Sequence, residues 1–284
     1  MIVTLSNKNF EININSKGAE LISFKNKNTL QNYIWEGNPK FWAKHSPILF
    51  PIVGTLKNDT YIYDKKKYKL SRHGFARDCD FEIVNASENE VSLVLKSNSE
   101  TIKIYPFEFE LQLNYIIENS NLKLNYKITN NSKTEMPFSI GAHPAFALNN
   151  NFEDYSLEFE HQEILKSFTL ENGLLSENFF EINLENKKLP LTYSLFENDA
   201  LIFKTIKSKK ITILEQQKPL LSVSYSDFEN LGLWTISNAP FLCIEPWLGY
   251  SDTNLHNQQI LEKEGIKIVK ENDTFECNLE ISIL

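Results

Sequence analysis

Two neighbouring segments of the chain alternate strictly between apolar and polar residues. They are Leu111–Tyr115, with the sequence LQLNY, and Leu122–Tyr126, with the sequence LKLNY. A period of two places the apolar side chains on one face of a strand. The residues between the segments, Glu118–Asn121, include asparagine and serine, which favour turns. The pattern predicts an antiparallel hairpin with one buried face.

Further short strand patterns recur about every 8–12 residues, which is typical of sandwiches and barrels. We therefore predict an all-β fold, a large antiparallel β-sandwich, with very few short helices, at 191–198 and 256–264. No glycine- or serine-rich linker interrupts the chain, so residues 1–284 are expected to form one domain. The two prolines of Ser46–Gly54 predict an edge or bulged strand there. The other predicted strands are Ile2–Leu5, Phe10–Ile14, Ala19–Phe24, Phe81–Val84, Val91–Leu95, Thr101–Tyr105, Glu108–Ile117, Asn121–Thr129, Ser156–Phe159, Ala200–Thr205, Lys210–Leu214, Leu220–Tyr225, Gly232–Ile236, Phe241–Glu245, Ile266–Lys270 and Thr274–Ile283.

The net charge of −8 disfavours nucleic-acid binding, because neutralising phosphates requires a basic face. The local run Lys65–Lys67 with Lys69 is expected to be a solvated hairpin tip. No apolar run approaches the ~18 residues of a membrane helix, and the N-terminal segment lacks the features of a signal peptide. Three widely spaced cysteines without a C-x-x-C motif fit a reducing compartment. We expect a cytoplasmic protein that binds neither nucleic acid nor membrane.

The segment Ser71–Arg77, with the sequence SRHGFAR, concentrates one imidazole and two guanidiniums around a glycine. His73 is the candidate site residue, and Arg72 and Arg77 flank it. A titratable ring beside fixed positive charge suits sugar or anion chemistry. A surface or capping histidine would give the same pattern, so this segment gains weight only together with two later ones.

Those two later segments each place a titratable side chain at the end of a strand. His143 lies between a small residue and a proline, which holds its backbone extended. Glu245 closes an apolar strand and precedes Pro246 and Trp247, so its carboxylate should be partly desolvated and a better base near neutral pH. The alternatives are a structural histidine bonded to a carbonyl oxygen and an edge glutamate paired with an arginine.

An irregular segment from residue 31 to residue 42 contains four aromatic side chains. They can stack on the apolar face of a sugar ring or plug one end of the sandwich. No H-E-x-x-H motif or Cys/His cluster predicts a metal site, and no G-x-S-x-G elbow or Walker loop is present. The four aromatics are Tyr33, Trp35, Phe41 and Trp42.

Taken in order, these motifs resemble the aldose 1-epimerase (galactose mutarotase) family. The branch of LacX-like proteins, related to hexose-6-phosphate 1-epimerases, is the most similar. The resemblance covers nearly the whole chain and implies a β-supersandwich with one sugar cleft and no cofactor. The matching segments are Gly18–Leu21, Phe50–Gly54, Arg72–Arg77, Gly141–Pro144 and Glu245–Trp247.

The resemblance also implies roles for individual residues. His143 matches the general acid that protonates the ring oxygen, and Glu245 matches the general base that takes the proton from the anomeric hydroxyl. His73 matches a second histidine near the ring oxygen. Asp199 is a looser match to an aspartate that binds sugar hydroxyls. The other substrate-binding candidates are Arg72, Arg77, Trp247 and Lys57, the last lying where many relatives have an arginine.

The leading hypothesis is a mutarotase that interconverts the α and β anomers of a hexose, with an acid and a base facing each other across the ring. A hexose 6-phosphate is an alternative substrate. A non-catalytic carbohydrate-binding or sensing domain is a second hypothesis, and a glycoside hydrolase using Glu245 with Asp252 or Asp199 is a third. The expected partner is a small-molecule hexose, and the protein is expected to be a monomer or a homodimer.

Overall fold

The computed structural model describes residues 1–284 and consists mainly of antiparallel β-strands. In the first half of the chain the strands are β1 (Ile2–Ser6), β2 (Phe10–Asn15), β3 (Glu20–Asn26), β4 (Ile48–Leu49), β5 (Thr60–Tyr63), β6 (Lys66–Lys69), β7 (Glu82–Ala86), β8 (Glu90–Lys96), β9 (Phe109–Glu118), β10 (Asn121–Asn130), β11 (Met136–Phe138) and β12 (Ile140–Ala142). In the second half they are β13 (Ala145–Ala147), β14 (Tyr155–Phe159), β15 (Ile164–Glu171), β16 (Leu174–Asn183), β17 (Lys188–Pro190), β18 (Leu201–Phe203), β19 (Lys210–Glu215), β20 (Lys218–Ser224), β21 (Asn230–Trp234), β22 (Phe241–Leu248), β23 (Lys267–Val269) and β24 (Thr274–Ile283).

Helical structure is short and sparse. One α-helix, α1, spans Ser99–Ile104. No helix is long and apolar enough to cross a membrane. The remaining helical turns are of the 3₁₀ type, at Lys57–Asp59, Ala76–Asp78, Phe152–Asp154, Tyr193–Phe196 and Ile260–Glu262.

Two large sheets form the body of the protein. The nine-stranded sheet has the order β17-β14-β19-β20-β24-β10-β9-β8-β7. The eight-stranded sheet has the order β16-β15-β18-β21-β22-β12-β4, with β13 also paired to β22. Smaller sheets are formed by β1-β2-β3, β5-β6 and β11-β23. The lysine hairpin is thus β5-β6, and β4 is an edge strand, as the prolines of its segment predict.

The hairpin predicted from the alternating pattern is β9-β10, and Tyr115 pairs with Leu124 in its register. The apolar side chains of both strands are buried. They belong to one hydrophobic cluster of 66 buried residues that also contains Leu233 of β21 and Ile244 of β22 in the other large sheet. The two apolar faces therefore pack against each other, and the prediction of a large antiparallel sandwich is confirmed.

The opposite face of β9, β10 and β24 carries a row of amide side chains. Asn114 donates to Asn125 at 2.9 Å, and Asn125 donates to Asn278 at 3.1 Å. These cross-strand bonds satisfy polar groups on the outer face while the inner face remains apolar. The alternation therefore places apolar side chains on the inner face of the sheet and hydrogen-bonded amides on its outer face.

The predicted strand at Thr101–Tyr105 is wrong, because this segment forms α1. Asn98 caps the helix, since its side chain accepts hydrogen bonds from the backbone N–H groups of Glu100 and Thr101. Thr101 Oγ1 in turn accepts from the Asn98 N–H at 2.8 Å. This capping box satisfies backbone donors at the helix start and outweighs the β-branched residues that favour a strand.

The two predicted helices are much shorter than expected. Within 191–198 only Tyr193–Phe196 is helical, and within 256–264 only Ile260–Glu262, each a 3₁₀ turn. Side-chain contacts hold the second segment instead of a regular helix, since Gln258 Nε2 donates to the Lys57 carbonyl at 2.7 Å.

Replacing Leu113 by alanine should lower the free energy of unfolding by about 2–5 kcal/mol, because the side chain is completely buried between the sheets and its loss leaves a cavity. Gln112→Ala, on the outer face of β9, is the control and should change stability by no more than about 0.5 kcal/mol. Urea unfolding followed by tryptophan fluorescence measures both. Equal losses in the two variants would contradict the assignment of the buried face.

Candidate active site

A cavity of about 700 Å³ opens at the face of the eight-stranded sheet. Seven of the eight site residues predicted from the sequence line it, and Lys57 does not. Segments far apart in the chain therefore meet in one cleft, where aromatic walls alternate with charged groups. The seven are Arg72, His73, Arg77, His143, Asp199, Glu245 and Trp247.

Strand pairing explains why His143 and Glu245 meet. Gly141 of β12 pairs with Trp247 of β22, and Ala145 of β13 pairs with Cys243 of the same strand. His143 lies midway between the two pairs, at the break before Pro144, and so falls opposite Glu245. His143 Nε2 lies 3.1 Å from Glu245 Oε2. Both side chains are buried, so this contact is shielded from bulk water.

Burial changes the acid–base properties of this pair. It raises the pKa of Glu245 well above its usual range, because a carboxylate is poorly solvated there. It also lowers the pKa of His143 to about 3, and the positive charges of Arg72 and Arg77 act in the same direction. Burial therefore favours the form of the pair in which Glu245 carries a proton and His143 is neutral.

Aromatic rings enclose the imidazole of His143. The Trp42 ring is stacked on it, with centroids 4.8 Å apart, and Trp234 meets it edge-on at 5.9 Å. Of the aromatic residues in the irregular segment, Trp42 lines the cavity, whereas Trp35 is buried against Phe241. Trp35 therefore fills the interior, whereas Trp42 faces the cleft, and stacking of Trp42 on a sugar stays a prediction.

Backbone geometry fixes the tautomer of His73. The Gly54 N–H donates to His73 Nδ1 at 3.1 Å, so Nδ1 carries the lone pair and the ring proton lies on Nε2. His73 has φ +68°, an unusual conformation for a residue other than glycine. The pKa of His73 is lowered well below its usual range, first by burial and then by the charge of His143. His73 is therefore a neutral donor.

Arg72 lies against this donor. Its Nε is 3.1 Å from His73 Nε2, and with the tautomer fixed by Gly54 both nitrogens carry protons. Two donors at this distance do not stabilise each other, but an oxygen atom between them can accept from both. The arrangement favours a ligand with oxygen acceptors, as in a sugar.

Arg77 and Asp199 complete the polar lining. Arg77 Nη2 donates to the Arg72 carbonyl at 2.8 Å and so supports the backbone next to His73. Asp199 has φ +86°, and its Oδ1 accepts from the Ala200 N–H at 2.7 Å. Its negative charge contributes to the raised pKa of Glu245.

Lys57 lies outside the cavity lining, in a buried polar cluster that the sequence analysis did not identify. Its Nζ donates to the His256 carbonyl at 3.0 Å, and its N–H donates to Asp252 Oδ2 at 2.9 Å. Asp252 also accepts from the buried Lys263 at 2.9 Å, and His256 Nδ1 lies 3.2 Å from the same carboxylate. Because several donors bind the Asp252 carboxylate, its role is structural.

This cluster fixes the loop that carries Gly54. The Asp252 N–H donates to the Thr55 carbonyl, and Ser251 Oγ accepts from the Thr55 N–H at 3.0 Å. Because Gly54 sets the tautomer of His73, the cluster positions His73 indirectly. The sequence gives little indication of this cluster, because Lys263 lies eleven residues after Asp252.

Trp247 occupies a slot between two glycines. A Cβ atom at Gly141 would lie 2.6 Å from the indole Cδ1, and one at Gly232 would also strike the indole. The indole N–H lies beside the Glu245 carboxylate and, as a donor, lowers its pKa against the larger effect of burial. These glycines were not identified from the sequence, because their importance depends on which strands become neighbours.

Comparison with known proteins places the chain in a family. The profile of the family described as aldose 1-epimerase matches residues 1–266. The chain belongs to the aldose 1-epimerase family. The chromosomal LacX protein of Lactococcus lactis is 38% identical over the whole of both chains, and the plasmid-encoded form is 37% identical. The resemblance noted from the motifs is thereby confirmed.

Solved structures of similar proteins show the same aldose 1-epimerase fold. A galactose mutarotase related enzyme from Lactobacillus acidophilus superimposes with a TM-score of 0.95 at 32% identity, covering 100% of this chain and 97% of that one. A galactose mutarotase-like protein from Lactobacillus casei gives 0.93 at 31% identity, covering both chains completely. Family membership supports an isomerase acting on sugars.

Lys263→Met should lower the free energy of unfolding by about 3–5 kcal/mol, because it leaves the buried Asp252 carboxylate without its main counter-charge. Lys267→Met is the control, since the Lys267–Glu229 pair is partly exposed and should contribute at most about 1 kcal/mol. Chemical unfolding of both variants measures the difference. A loss as small as that of the control would show that the cluster does not hold this region together.

Proposed function

We propose that the protein is a hexose mutarotase, which interconverts α and β anomers by opening and closing the sugar ring. The observation that carries this proposal is the buried contact of 3.1 Å between His143 Nε2 and Glu245 Oε2 in the wall of the cavity. The two groups share one proton, and the reaction requires one proton to be removed and one to be added.

The separation of the two groups matches the reacting atoms. The anomeric oxygen O1 and the ring oxygen O5 are both bonded to C1, so the base and the acid that act on them must be close neighbours. From the sequence we expected an acid and a base that face each other across the ring, whereas Glu245 and His143 lie side by side. Side-by-side groups address two oxygens on one carbon more directly.

Ring opening begins with an ionised Glu245 and a protonated His143. Glu245 Oε2 takes the proton from O1–H, and the O1–C1 bond becomes a carbonyl. The C1–O5 bond breaks, and its electron pair remains on O5, which takes the proton from His143 Nε2. Rotation about C1–C2 followed by the reverse transfers closes the ring on the other face.

After opening, the pair consists of a protonated Glu245 and a neutral His143. This is the form that burial favours, as the directions of both pKa shifts show. The enzyme therefore reaches an uncharged pair when the substrate reaches its open form. Burial therefore makes the ionised pair the more reactive form and favours the proton transfers that open the ring.

The remaining lining groups are suited to holding the sugar. The N–H groups of His73 and Arg72 can donate to one sugar oxygen, and the Asp199 carboxylate can accept from hydroxyls. Trp42 and Trp234 offer apolar faces to the ring carbons. These contacts orient the hexose so that C1 lies at the acid–base pair.

Two observations bear on the alternatives. A sensing domain needs no acid and base in contact, so the pair argues against that reading. A hydrolase needs two carboxylates at the sugar. Asp252 cannot be the second one, because it is bound to Lys263 outside the cavity lining, so Asp199 is the one remaining partner for Glu245. A hexose 6-phosphate is the second candidate substrate, because Arg72 and Arg77 both line the cavity and supply positive charge.

Glu245→Gln should reduce the enzymatic rate of anomer equilibration by about 10²–10⁴, because the amide cannot accept the O1 proton. Polarimetry with freshly dissolved α-glucose and α-galactose measures the rate above the uncatalysed reaction, and NMR with glucose 6-phosphate tests the phosphorylated substrate. The control is Glu229→Gln, an exposed carboxylate paired with Lys267. A wild-type rate in Glu245→Gln would overturn the proposal.

The catalysed rate should stay within about twofold between roughly pH 5 and pH 7. The active pair holds one proton. Its low-pH limit comes from a second protonation at His143, whose pKa is lowered to about 3, and its high-pH limit from the raised pKa of Glu245. A profile of kcat/KM against pH, corrected for the buffer blank, measures this. A fall in rate centred near pH 6.5 would mean that His143 titrates as an ordinary exposed histidine.

A further inference from the structure

Cys243 lies two residues before Glu245 on β22, and neither the mechanism nor the sugar contacts use its thiol. Residues two apart on a strand point to the same face, so Sγ and the carboxylate project together toward His143. One donor atom from each of the three side chains lies within 4.8 Å of the other two, and all three residues are buried. No sequence motif of metal ligands indicates this cluster, because His143 comes from a different part of the chain.

We propose that His143, Cys243 and Glu245 form a binding site for a thiophilic divalent cation such as Zn²⁺, and that the bound cation inhibits the enzyme. The inhibition rests on the proposed mutarotase function, whereas the binding does not. Nitrogen, sulfur and carboxylate oxygen from three side chains are the donor types of an open tetrahedral zinc site, whose fourth position takes water or a hydroxyl.

The distances are close to those that zinc requires. Bond lengths of about 2.0–2.3 Å in a tetrahedron place neighbouring donor atoms about 3.3–3.6 Å apart. His143 Nε2 and Glu245 Oε2 are already 3.1 Å apart. Donors within 4.8 Å need an approach of about 1.2–1.5 Å at most to reach this spacing, which a change of one side-chain torsion can supply.

Charge selects the kind of cation. Arg72 and Arg77 line the same cavity and disfavour any ion that keeps its positive charge there. A thiolate and a carboxylate together cancel the charge of one divalent ion, so the loaded site is neutral. Binding releases two protons, one from the thiol and one from the His143–Glu245 pair. Mg²⁺ and Ca²⁺, which prefer oxygen ligands, gain little from the thiol.

The position of the site explains the inhibition. His143 and Glu245 line the cavity, so a cation that enters through it meets these two ligands first. Cys243 lies behind them, in a small apolar cluster with Trp35, Ala145 and Phe241. A bound cation occupies both Nε2 and Oε2, and the pair can then neither give nor accept a proton.

Titration of the intact protein with Co²⁺ tests the binding, because a cobalt–thiolate bond gives a charge-transfer absorption band and four-coordination gives strong visible bands. We expect both bands at one Co²⁺ per chain, displaced by Zn²⁺ but not by Mg²⁺. Cys243→Ser should lose the charge-transfer band. Cys277→Ser, which removes another buried thiol, and Cys79→Ser, which removes the half-buried one, are the matched controls and should keep it.

In the activity assay, half-inhibition of Cys243→Ser relative to its own metal-free rate should require at least about tenfold more Zn²⁺ than in the intact protein or the Cys277→Ser control. The absence of a charge-transfer band from the intact protein, or its persistence in Cys243→Ser, would overturn the proposal. If Cys243→Ser does not fold, Cys243→Ala replaces it, and the spectrum of the intact protein still decides. If no sugar is turned over, the proposed function fails while the absorption experiment continues to test the site.

Discussion

The contact between Glu245 and His143 depends on their burial, and much of the cavity is arranged around it. In water each group would titrate independently and the two would seldom share a proton. His143 is enclosed by Trp42 and Trp234, and Glu245 is buried beside it, so each disfavours its own charged form and burial favours the proton on Glu245. The charges of Arg72 and Arg77 reach the same pair and lower the pKa of His143. The proposed acid and base are therefore one unit.

The sheet supplies the alignment that this unit needs. Strand β22 is buried along its whole length and pairs on one side with β21 and on the other with β12 and β13. The break between β12 and β13 falls opposite Glu245, which is where the histidine has to be. A second level of support comes from the Asp252–Lys263 cluster, which holds Gly54 and, through it, the tautomer of His73. The geometry of the proposed active site is mostly a result of backbone register.

The sequence predicted the sandwich because alternation is a local property, visible within Leu111–Tyr115. It also identified most of the cavity, since His143 and Glu245 each stand beside a proline. The prediction that Glu245 closes its strand is wrong, because β22 continues to Leu248. What it missed depends on contacts between distant segments. Lys57 is bound to Asp252 outside the cavity lining, and Thr101 lies in the helix that Asn98 caps. The potential metal-binding atoms near Cys243 meet only through strand pairing.

The indole of Trp247 lies across two glycines on neighbouring strands, Gly141 of β12 and Gly232 of β21. A slip of one residue in either strand would place a side chain such as Leu231 or Ala142 under the ring, where there is no room for it. The Trp247 side chain is therefore compatible with only one alignment of β12, β22 and β21. The strand alignment and the placement of Glu245 two residues away therefore depend on the same side chain, since a misaligned strand would clash with the indole.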